Sequence, residues 1–397
     1  MPVTPSAPTN YCSWHGSLVR SSVVATILTI VTAAAASSQV TPFLEPSSKP
    51  DTGLVRVCAG GDVTLGTNLD TLWAKRATRT LKTPVALYPS PDSLLRPLSG
   101  LLEGADIVLL NIEGAIGTGR TRSKCGPRST ACFAFRMPES AAPALRGVAP
   151  WAEVVGNVAN NHAADAGAVG AARTRVLLTR AGVHVTGADS EPTLVATSRG
   201  DTVAILGFGT SGFPDVRDLP AVSRFVARAA GRYRRVIVTM HLGTEGGGAQ
   251  RTTDTTEYLL GADRGNPIAF ASAVVEAGAA LVIGHGPHVI RAVEWKGEAL
   301  VAYSLGNLLT YGPFSFREPN NRGAVLCASL DALGGVHDVV LQPTVQRAPG
   351  RVAPDPTRRS VTLADSLSVI DFGESAAEFR MDGSVIQPAR GEGRPPR

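Results

Sequence analysis

The sequence predicts an α/β protein. Short runs of β-branched and aliphatic residues alternate with alanine-rich stretches of helical period from residue 54 to beyond residue 300. Glycine follows shortly after most of the helical stretches, which is typical of helix ends. Polar residues able to bind metal ions stand directly after several apolar runs, where α/β proteins carry their sites.

Seven apolar runs are predicted as strands, and most of the predicted helices lie between them. The predicted strands are Leu54–Ala59, Ile107–Asn111, Val154–Asn157, Val203–Gly207, Val236–His241, Leu281–Gly284 and Ala299–Ser304. The predicted helices are Ala141–Gly147, Ala168–Ala181, Pro220–Ala230 and Pro267–Ala277. Beyond about residue 345 the pattern loosens, and a strand pair is expected at Ser368–Phe372 and Ser384–Gln387.

Residues 1–36 are interpreted as a signal peptide or a membrane anchor. Val23–Ala36 is a run of apolar and small residues behind Arg20, and its last alanines suit a cleavage site. The run is shorter than the about 20 apolar residues that span a bilayer, although residues 18 and 19 could extend it into an anchor. Both interpretations predict an extracytoplasmic location, either secreted, periplasmic or membrane-anchored.

Four further parts are predicted along the chain. Residues 37–54 carry prolines and serines and are expected to form a flexible tether. Residues 55–345 are expected to form the folded domain, followed by a partly ordered C-terminal extension at 346–390 and a disordered tail at 391–397.

Composition excludes a disordered chain and gives no sign of nucleic-acid binding. The 397 residues are 44% hydrophobic and 18% charged, which is usual for a globular protein. The net charge of +5 comes mainly from scattered arginines. The densest group, at residues 228–235, contains a single aromatic residue, Tyr233, and lies at the end of a predicted helix, so it is interpreted as a solvated helix end.

Cysteine usage agrees with export. Cys125 and Cys132 flank a segment of small and turn-forming residues, and a disulfide between them fits an oxidising compartment. Two free thiols are the alternative. Cys58 and Cys327 lie inside apolar runs and are predicted to be small core residues.

The strongest functional signal is a series of polar residues that follow the predicted strands. In chain order they are Asp62, Glu113, Asn160, Asn161, His162, Asp165, His241, Glu245, His285 and His288. Carboxylate, amide and imidazole ligands at one edge of a sheet suit Mn, Fe or Zn. Two such ions about 3.5–4 Å apart can bind a phosphate ester and activate a water molecule.

Taken singly, these residues have simpler interpretations. An Asp after a strand is more often a turn or helix-capping residue. The segment 160–162 fits a turn in which asparagine takes a left-handed conformation, and His285 and His288 fit a polar turn. His184 and His337 are assigned no role. Because matching chemistry follows five strands in one chain, the metal-site hypothesis is preferred.

Two other site types are disfavoured by sequence context. Residues 207–212 match the G-x-G-x-x-G dinucleotide fingerprint, but Phe213-Pro214-Asp215 follows where a helix should open. These residues are expected to form a sharp loop beside the cleft. A serine hydrolase is disfavoured because the chain has no G-x-S-x-G nucleophile elbow.

Six short motifs occur in a specific order. They are G-D-V-T-L-G at 61–66, N-I-E-G at 111–114, A-N-N-H-A-A-D-A-G at 159–167, H-L-G-T-E at 241–245, G-H-G-P-H-V at 284–289 and Y-S-L-G-N at 303–307. This ordered set resembles the poly-γ-glutamate capsule-biosynthesis (CapA-type) family, which is similar to the calcineurin-like metallophosphatases. The resemblance covers roughly residues 55–345.

The resemblance implies a four-layer α/β/β/α sandwich with a metal centre on loops at the strand ends. Glu113 would bridge two metal ions. The implied ligands of one or two divalent ions, Mn, Fe or Zn, are Asp62, Glu113, Asn161, His241, His285 and His288.

The same resemblance implies roles beside the metal ligands. His162 would stabilise or protonate the leaving oxygen, and Asp165 would orient it through its ring N–H. Asn160, Glu245 and Asn307 would line the cleft.

The chain departs from phosphatases of the parent class at two motifs. Asp62-Val63-Thr64 stands where Asp-x-His is usual, and the last motif is His-x-x-His instead of His-x-His. Two hypotheses therefore stay open. The first is a metal-dependent phosphoesterase of envelope polymer metabolism. The second is a non-catalytic protein that binds, assembles or exports an anionic polymer such as poly-γ-glutamate. Under either hypothesis the expected partners are an anionic envelope polymer or a phosphoester substrate, and a membrane-bound polymer synthase.

Overall fold

The structure is a computed structural model. It describes residues 53–66, 69, 71–118, 124–125, 132–211, 215–312 and 314–388. The expected signal or anchor segment, most of the tether, the end of the 207–212 motif and the C-terminal tail lie outside these residues. Within the described ranges, no helix has both the length and the apolar character needed to cross a membrane.

The strands are numbered in chain order over the described residues. They are β1 (Val55–Thr64), β2 (Ile107–Ile112), β3 (Ala115–Ile116), β4 (Arg136–Met137), β5 (Glu153–Asn157), β6 (His184–Thr186), β7 (Thr193–Ala196), β8 (Thr202–Gly209), β9 (Val236–His241), β10 (Tyr258–Leu259), β11 (Ala262–Asp263), β12 (Leu281–His285), β13 (Val293–Lys296), β14 (Ala299–Ala302), β15 (Asn307–Thr310), β16 (Arg322–Leu330), β17 (Val336–Arg347), β18 (Arg351–Pro354), β19 (Glu378–Phe379) and β20 (Val385–Ile386).

The α-helices lie mainly between strands. They are α1 (Thr71–Leu81), α2 (Pro91–Leu95), α3 (Ala141–Gly147), α4 (Gly167–Arg180), α5 (Leu219–Ala230), α6 (Pro267–Glu276) and α7 (Arg359–Phe372). The helices α5 and α6 begin with side-chain caps, since Asp218 accepts from the N–H of Ala221 and Asn266 accepts from the N–H groups of Ile268 and Ala269.

Two large sheets organise the fold. The first has the order β18-β17-β16-β1-β2-β5-β6, and β15 also pairs with β1, beyond the stretch of β1 that pairs with β16. Its members β1, β2, β5 and β6 run parallel. The second sheet has the order β13-β14-β12-β9-β8-β7, with β8, β9, β12 and β14 parallel.

The packing of buried side chains defines four layers. One apolar cluster lies between the sheets and joins residues such as Leu109 of β2 to Ile283 of β12. A second cluster packs α3 and its neighbours on the outer face of the first sheet, for example through Leu145. A third packs α5 and α6 on the second sheet, for example through Val222 and Phe270. The predicted α/β/β/α sandwich is therefore confirmed.

The predicted elements inside the domain are present. All seven predicted strands occur, as β1, β2, β5, β8, β9, β12 and β14, and the four predicted helices occur as α3 to α6. The long antiparallel strands β16 and β17 were not predicted, although they pair along most of their length.

The strand predicted at Ser368–Phe372 is wrong, because these residues form the last turns of α7. The β-branched residues of this segment favour a strand locally. The helix forms because Val361, Ala364 and Ser368 recur at helical spacing and face the core. The second half of the expected pair does contain a strand, β20, whose partner is β19.

The prediction for Cys58 and Cys327 is also corrected. Antiparallel pairing places Cys58 of β1 directly opposite Cys327 of β16, and the two form a disulfide although 269 residues separate them. Only sheet register brings such distant residues together, so the sequence could not indicate the pair. The predicted disulfide between Cys125 and Cys132 is confirmed.

Replacing both Cys58 and Cys327 with alanine is expected to lower the free energy of unfolding by about 2–4 kcal/mol, because the unfolded chain loses a long-range crosslink. Urea denaturation of the oxidised protein and the double variant measures the difference. Equal unfolding midpoints and slopes would show that this disulfide contributes nothing.

Candidate metal centre

Strand register brings the polar residues together. In the first sheet Asp62 lies beside Asn111, and Asn111 beside Asn157, across β1, β2 and β5. In the second sheet His285 lies beside His241. Because parallel strands end at the same edge of a sheet, the loops that follow them meet there.

Two glycines allow close backbone contacts beside these rows. A Cβ atom on Gly61 would lie 1.9 Å from the carbonyl oxygen of Gly306, and one on Gly284 would lie 2.1 Å from the carbonyl oxygen of Tyr303. Any larger residue would push these segments apart. Gly61 therefore allows Asp62, the residue that follows it, to approach the centre.

Glu113 lies at the middle of the site. Its Oε1 is 3.9 Å from Nε2 of His162, 3.8 Å from Nε2 of His241 and 3.7 Å from Nε2 of His288. These separations are too long for hydrogen bonds. Glu113 is fully buried, and neither carboxylate oxygen has a hydrogen-bond partner within the described ranges.

Asp62 lies on the other side of His288. Its Oδ2 is 3.0 Å from Nδ1 of His288, and Nδ1 of His285 is 3.8 Å from its Oδ1. His288 has a left-handed backbone with φ of 61°. Its Nδ1 also lies 2.9 Å from Oδ1 of Asn307, whose amide Nδ2 donates to the His288 carbonyl at 3.3 Å. Asn307 thus holds His288 in this unusual conformation.

Glu245 links Asn161 to the group. The Asn161 amide donates to Oε1 of Glu245 at 3.5 Å, and Oε2 of Glu245 is 3.6 Å from Nε2 of His288. Arg264 donates to the same Oε1 at 2.9 Å and to the carbonyl of Gly243 at 3.0 Å. Glu245 is therefore held between a buried guanidinium and the centre.

His162 and Asp165 form a close pair. Nδ1 of His162 lies 2.7 Å from Oδ2 of Asp165, and its other nitrogen faces Glu113. This geometry suits the orienting role expected for Asp165. Asn160 differs from its expected place on the cleft wall, because it is fully buried and its amide donates to the carbonyl of Ile112 at 3.0 Å.

Several buried polar atoms around Glu113 have no hydrogen-bond partner among the described residues. They are both carboxylate oxygens of Glu113, Oδ1 of Asn161, Nε2 of His241 and both ring nitrogens of His285. Buried polar atoms are normally satisfied, so this group fits a site that takes a cation. Carboxylate, amide and imidazole donors together suit a divalent transition metal.

The distances agree with this fit. Metal–ligand bonds of about 2.0–2.2 Å put two ligands of one ion no more than about 4.4 Å apart. The separations of 3.7–3.9 Å between Glu113 and the three histidines lie within this limit. Donor atoms of Asp62, Glu113 and His288 all lie within 4.8 Å of one another. The residues present can therefore hold a divalent ion.

Burial and charge set the pKa values of the centre. Burial raises the pKa of Glu113 well above its usual value. Burial also opposes ionisation of Asp62, but its contact with His288 holds the pKa of Asp62 below the usual range. Burial opposes the charging of His288, yet Glu113 and Asp62 raise the pKa of His288 well above normal. Burial lowers the pKa of His241, and that of His285 to about 4, so both imidazoles are neutral at neutral pH, the form in which histidine can bind a metal ion.

The sequence match identifies the family. The family model "Bacterial capsule synthesis protein PGA_cap" matches residues 56–311, which is more than half of the chain. The chain belongs to this bacterial capsule synthesis family. The resemblance inferred from the ordered motifs is confirmed.

Relatives of this chain include the capsule biosynthesis protein CapA of Bacillus anthracis. The two are 29% identical over 175 residues, covering 38% of this chain and 39% of that protein. The chain thus spans about two fifths of the length of that relative.

Solved structures that this chain matches include GAP50, the anchor in the inner membrane complex of Plasmodium, at 9% identity and a TM-score of 0.35, covering 78% of this chain and 95% of that one. A 5'-nucleotidase precursor from Thermus thermophilus is 12% identical with a TM-score of 0.35, covering 79% of this chain and 59% of that one.

Asn111 is a central residue of the candidate site that the sequence did not single out. Its amide donates to Oδ1 of Asp62 at 2.7 Å and lies 3.1 Å from Nδ1 of His241. Its Oδ1 accepts from the amides of Asn157 and Asn160 at 3.0 and 3.2 Å. Asn111 therefore connects the two sheets. Its position at a strand end, two residues before Glu113, is the signal that could have found it.

A buried ion pair supports the loops from behind. Arg291 donates to both carboxylate oxygens of Glu257, at 2.8 and 2.7 Å, and to the carbonyl of Ala249. Glu257 also accepts from the N–H of Thr244 at 2.7 Å. The pair joins the loop that follows β9 to the segment that follows β12. Sequence reasoning missed it because nothing local links residues so far apart.

Glu113→Gln is expected to weaken binding of Mn or Zn by at least about 100-fold, because the substitution removes the central negative charge while keeping the size of the side chain. In the metal-free protein the same change should raise the thermal midpoint, since it removes a buried carboxylate without a partner. Isothermal titration and differential scanning fluorimetry measure the two effects. A variant that binds metal as tightly as the wild type would place the ion elsewhere.

Proposed function

We propose that this chain is an extracytoplasmic, metal-dependent phosphoesterase acting in capsule or envelope polymer metabolism. One observation carries the proposal: the buried Glu113 carboxylate has no hydrogen bond within the described ranges, and nitrogens of three histidines lie within 3.7–3.9 Å of it. A buried carboxylate in this state is costly unless a cation satisfies it. Buried ionisable groups whose pKa values are shifted by burial and by neighbouring charges are typical of functional sites.

One or two divalent ions, Mn, Fe or Zn, would be held by the carboxylates, the amide and the neutral imidazoles of the centre. The proposed ligands are Asp62, Glu113, Asn161, His241, His285 and His288. When bound, such ions supply a Lewis acid for a phosphoryl oxygen and lower the pKa of a water molecule.

His162 is proposed to act on the leaving oxygen. Its Nδ1 is 2.7 Å from Asp165, so the hydrogen on that nitrogen is donated to the carboxylate. The opposite nitrogen, Nε2, then faces the centre, 3.9 Å from Glu113, and is free to exchange a proton with the substrate. Burial lowers the pKa of His162.

The proposed location follows from the cysteines and the family. Two disulfides form in the described part of the chain, and disulfides persist in oxidising compartments. Membership of a capsule synthesis family makes an anionic envelope polymer the proposed biological context. A membrane-bound polymer synthase is the proposed partner, and residues 1–36 the proposed export signal or anchor.

Purified protein loaded with Mn or Zn is expected to hydrolyse aryl phosphates. Asp62→Asn and His241→Ala should each lower kcat/KM by at least about 100-fold, because each removes a ligand from the centre that stabilises the transition state. Metal removal with a chelator should abolish turnover, and added metal should restore it. His184→Ala, a surface histidine paired with Glu153, serves as the matched control and should keep full activity. Hydrolysis that survives both ligand variants would rule out this centre.

A second function, binding of an anionic polymer, is favoured by a pair of arginines. Arg347 of β17 and Arg351 of β18 are exposed and lie directly opposite each other. Like charges at such positions destabilise a sheet, and no ion pair to either arginine occurs among the described residues. The intervening turn lies beside the end of β15, since Gly312, which follows β15, donates to the carbonyl of Pro349 at 2.8 Å. A chain of carboxylates would neutralise the pair.

Arg347→Gln combined with Arg351→Gln is expected to weaken binding of poly-γ-glutamate by about 10-fold or more, since each guanidinium loses a charge-assisted contact. Fluorescence anisotropy with labelled polymer at low salt measures this effect. The control is Arg175→Gln with Arg180→Gln on α4, which removes the same charge from another exposed face. Equal losses in the two double variants would mean that only net charge matters.

A further inference from the structure

The segment that contains the Cys125–Cys132 disulfide contacts His162 and Asp165 from both of its ends. Lys124 directly precedes the first cysteine, and Phe135 stands three residues after the second. Both residues touch the same two side chains. The disulfide therefore links the two ends of the segment, each of which contacts His162 and Asp165.

Lys124 contacts Asp165 with both its backbone and its side chain. Its N–H donates to the Asp165 carbonyl at 3.1 Å, and its ammonium lies 2.6 Å from Oδ1 of Asp165. The ammonium also donates to the carbonyl of Asn161 at 3.1 Å and lies 3.3 Å from Nδ1 of His162. The Asp165 side chain is fully buried, whereas that of Lys124 is 30% exposed. Lys124 thus supplies a counter-charge to a carboxylate that is closed off from solvent.

Phe135 completes the contact from the other end. Its N–H donates to Oδ2 of Asp165 at 2.5 Å, and its ring stacks on the His162 imidazole with centroids 4.3 Å apart and planes inclined by 30°. The ring limits rotation of the imidazole, while the N–H fixes the carboxylate that the imidazole faces.

These contacts leave one arrangement of hydrogens on His162. Oδ2 of Asp165 accepts from Phe135, and Nδ1 of His162 is closer to Asp165, at 2.7 Å, than to Lys124, at 3.3 Å. An ammonium group can only donate, and a carboxylate can only accept. The hydrogen therefore sits on Nδ1, and Nε2 is left to face Glu113.

We propose that Lys124 and the Cys125–Cys132 disulfide position His162, holding its ring with Nδ1 toward Asp165 and Nε2 toward the metal centre. Lys124 is a positioning residue, since it acts through Asp165 and does not touch the reacting atoms. The proposal rests on the phosphoesterase function for its kinetic consequence, while the orientation of the ring can be measured without turnover.

A double-mutant cycle tests the kinetic consequence. Lys124→Met, and separately Cys125→Ser with Cys132→Ser, should lower kcat by about 10-fold or more at unchanged KM, because a misplaced proton donor costs rate more than binding. The loss should be larger for alkyl phosphates, whose leaving oxygen needs a proton, than for nitrophenyl phosphate. In a His162→Ala background neither change should reduce kcat further. A second, additive loss in that background would overturn the proposal.

Nitrogen NMR of the zinc-loaded protein labelled at histidine provides the readout that does not depend on activity. The wild type should show His162 with hydrogen on Nδ1, assigned by comparison with His162→Gln. Lys124→Met and the disulfide variant should show a mixture of the two ring tautomers, and Lys124→Arg should restore the single form. An unchanged His162 signal in both variants refutes the positioning role, even if the protein hydrolyses phosphates. A shifted signal without any hydrolysis refutes the phosphoesterase function alone.

The second disulfide is the matched control. Cys58 and Cys327 are fully buried and lie in sheet strands, where none of their described contacts involves His162. Cys58→Ser with Cys327→Ser should lower the unfolding midpoint while leaving the His162 signal and the leaving-group dependence unchanged. If this variant changes them as much as Cys125→Ser with Cys132→Ser does, the effect is general destabilisation and the proposal is wrong.

Discussion

The candidate metal centre depends on the parallel register of β1, β2 and β5. This register places Asp62, Asn111 and Asn157 in one row, so three polar side chains leave the sheet at the same edge. Asn111 then reaches across to His241 of the second sheet. A shift of one residue in any of these strands would turn the side chain to the opposite face. The same arrangement requires glycine at position 61, because a side chain there would collide with the backbone of Gly306.

The centre contains two kinds of buried polar group, those with hydrogen bonds and those without. Hydrogen bonds satisfy most polar groups near the site, yet the Glu113 carboxylate and both nitrogens of His285 have none among the described residues. Leaving such groups buried costs free energy, and the fold tolerates this cost because the surrounding sheets over-determine their positions. The groups with satisfied hydrogen bonds, such as Asn111 and Glu257, hold the loops. The unsatisfied ones remain available to a ligand.

The two motifs that differ from those of calcineurin-like metallophosphatases have structural counterparts. Thr64 stands where that class usually carries a histidine, and its hydroxyl donates to the carbonyl of Glu113 at 2.8 Å, which fixes the backbone of the central carboxylate. The longer spacing between His285 and His288 accommodates Gly286, with φ of 110°, and the left-handed His288. That geometry brings His288 within 3.0 Å of Asp62 and 3.7 Å of Glu113. His288 thus occupies the space between the two carboxylates.

The sequence alone indicated the α/β class, seven strands and four helices of the domain, the Cys125–Cys132 disulfide and the polar residues at the strand ends. These follow from local patterns of hydrophobicity and from motif order, which a single chain segment carries. Tertiary structure decided the rest. The pairing of Cys58 with Cys327, the helix at 359–372 and the contacts of Lys124 depend on register and packing between residues far apart in the chain. Local sequence cannot specify them, because their energies arise only when separate elements meet.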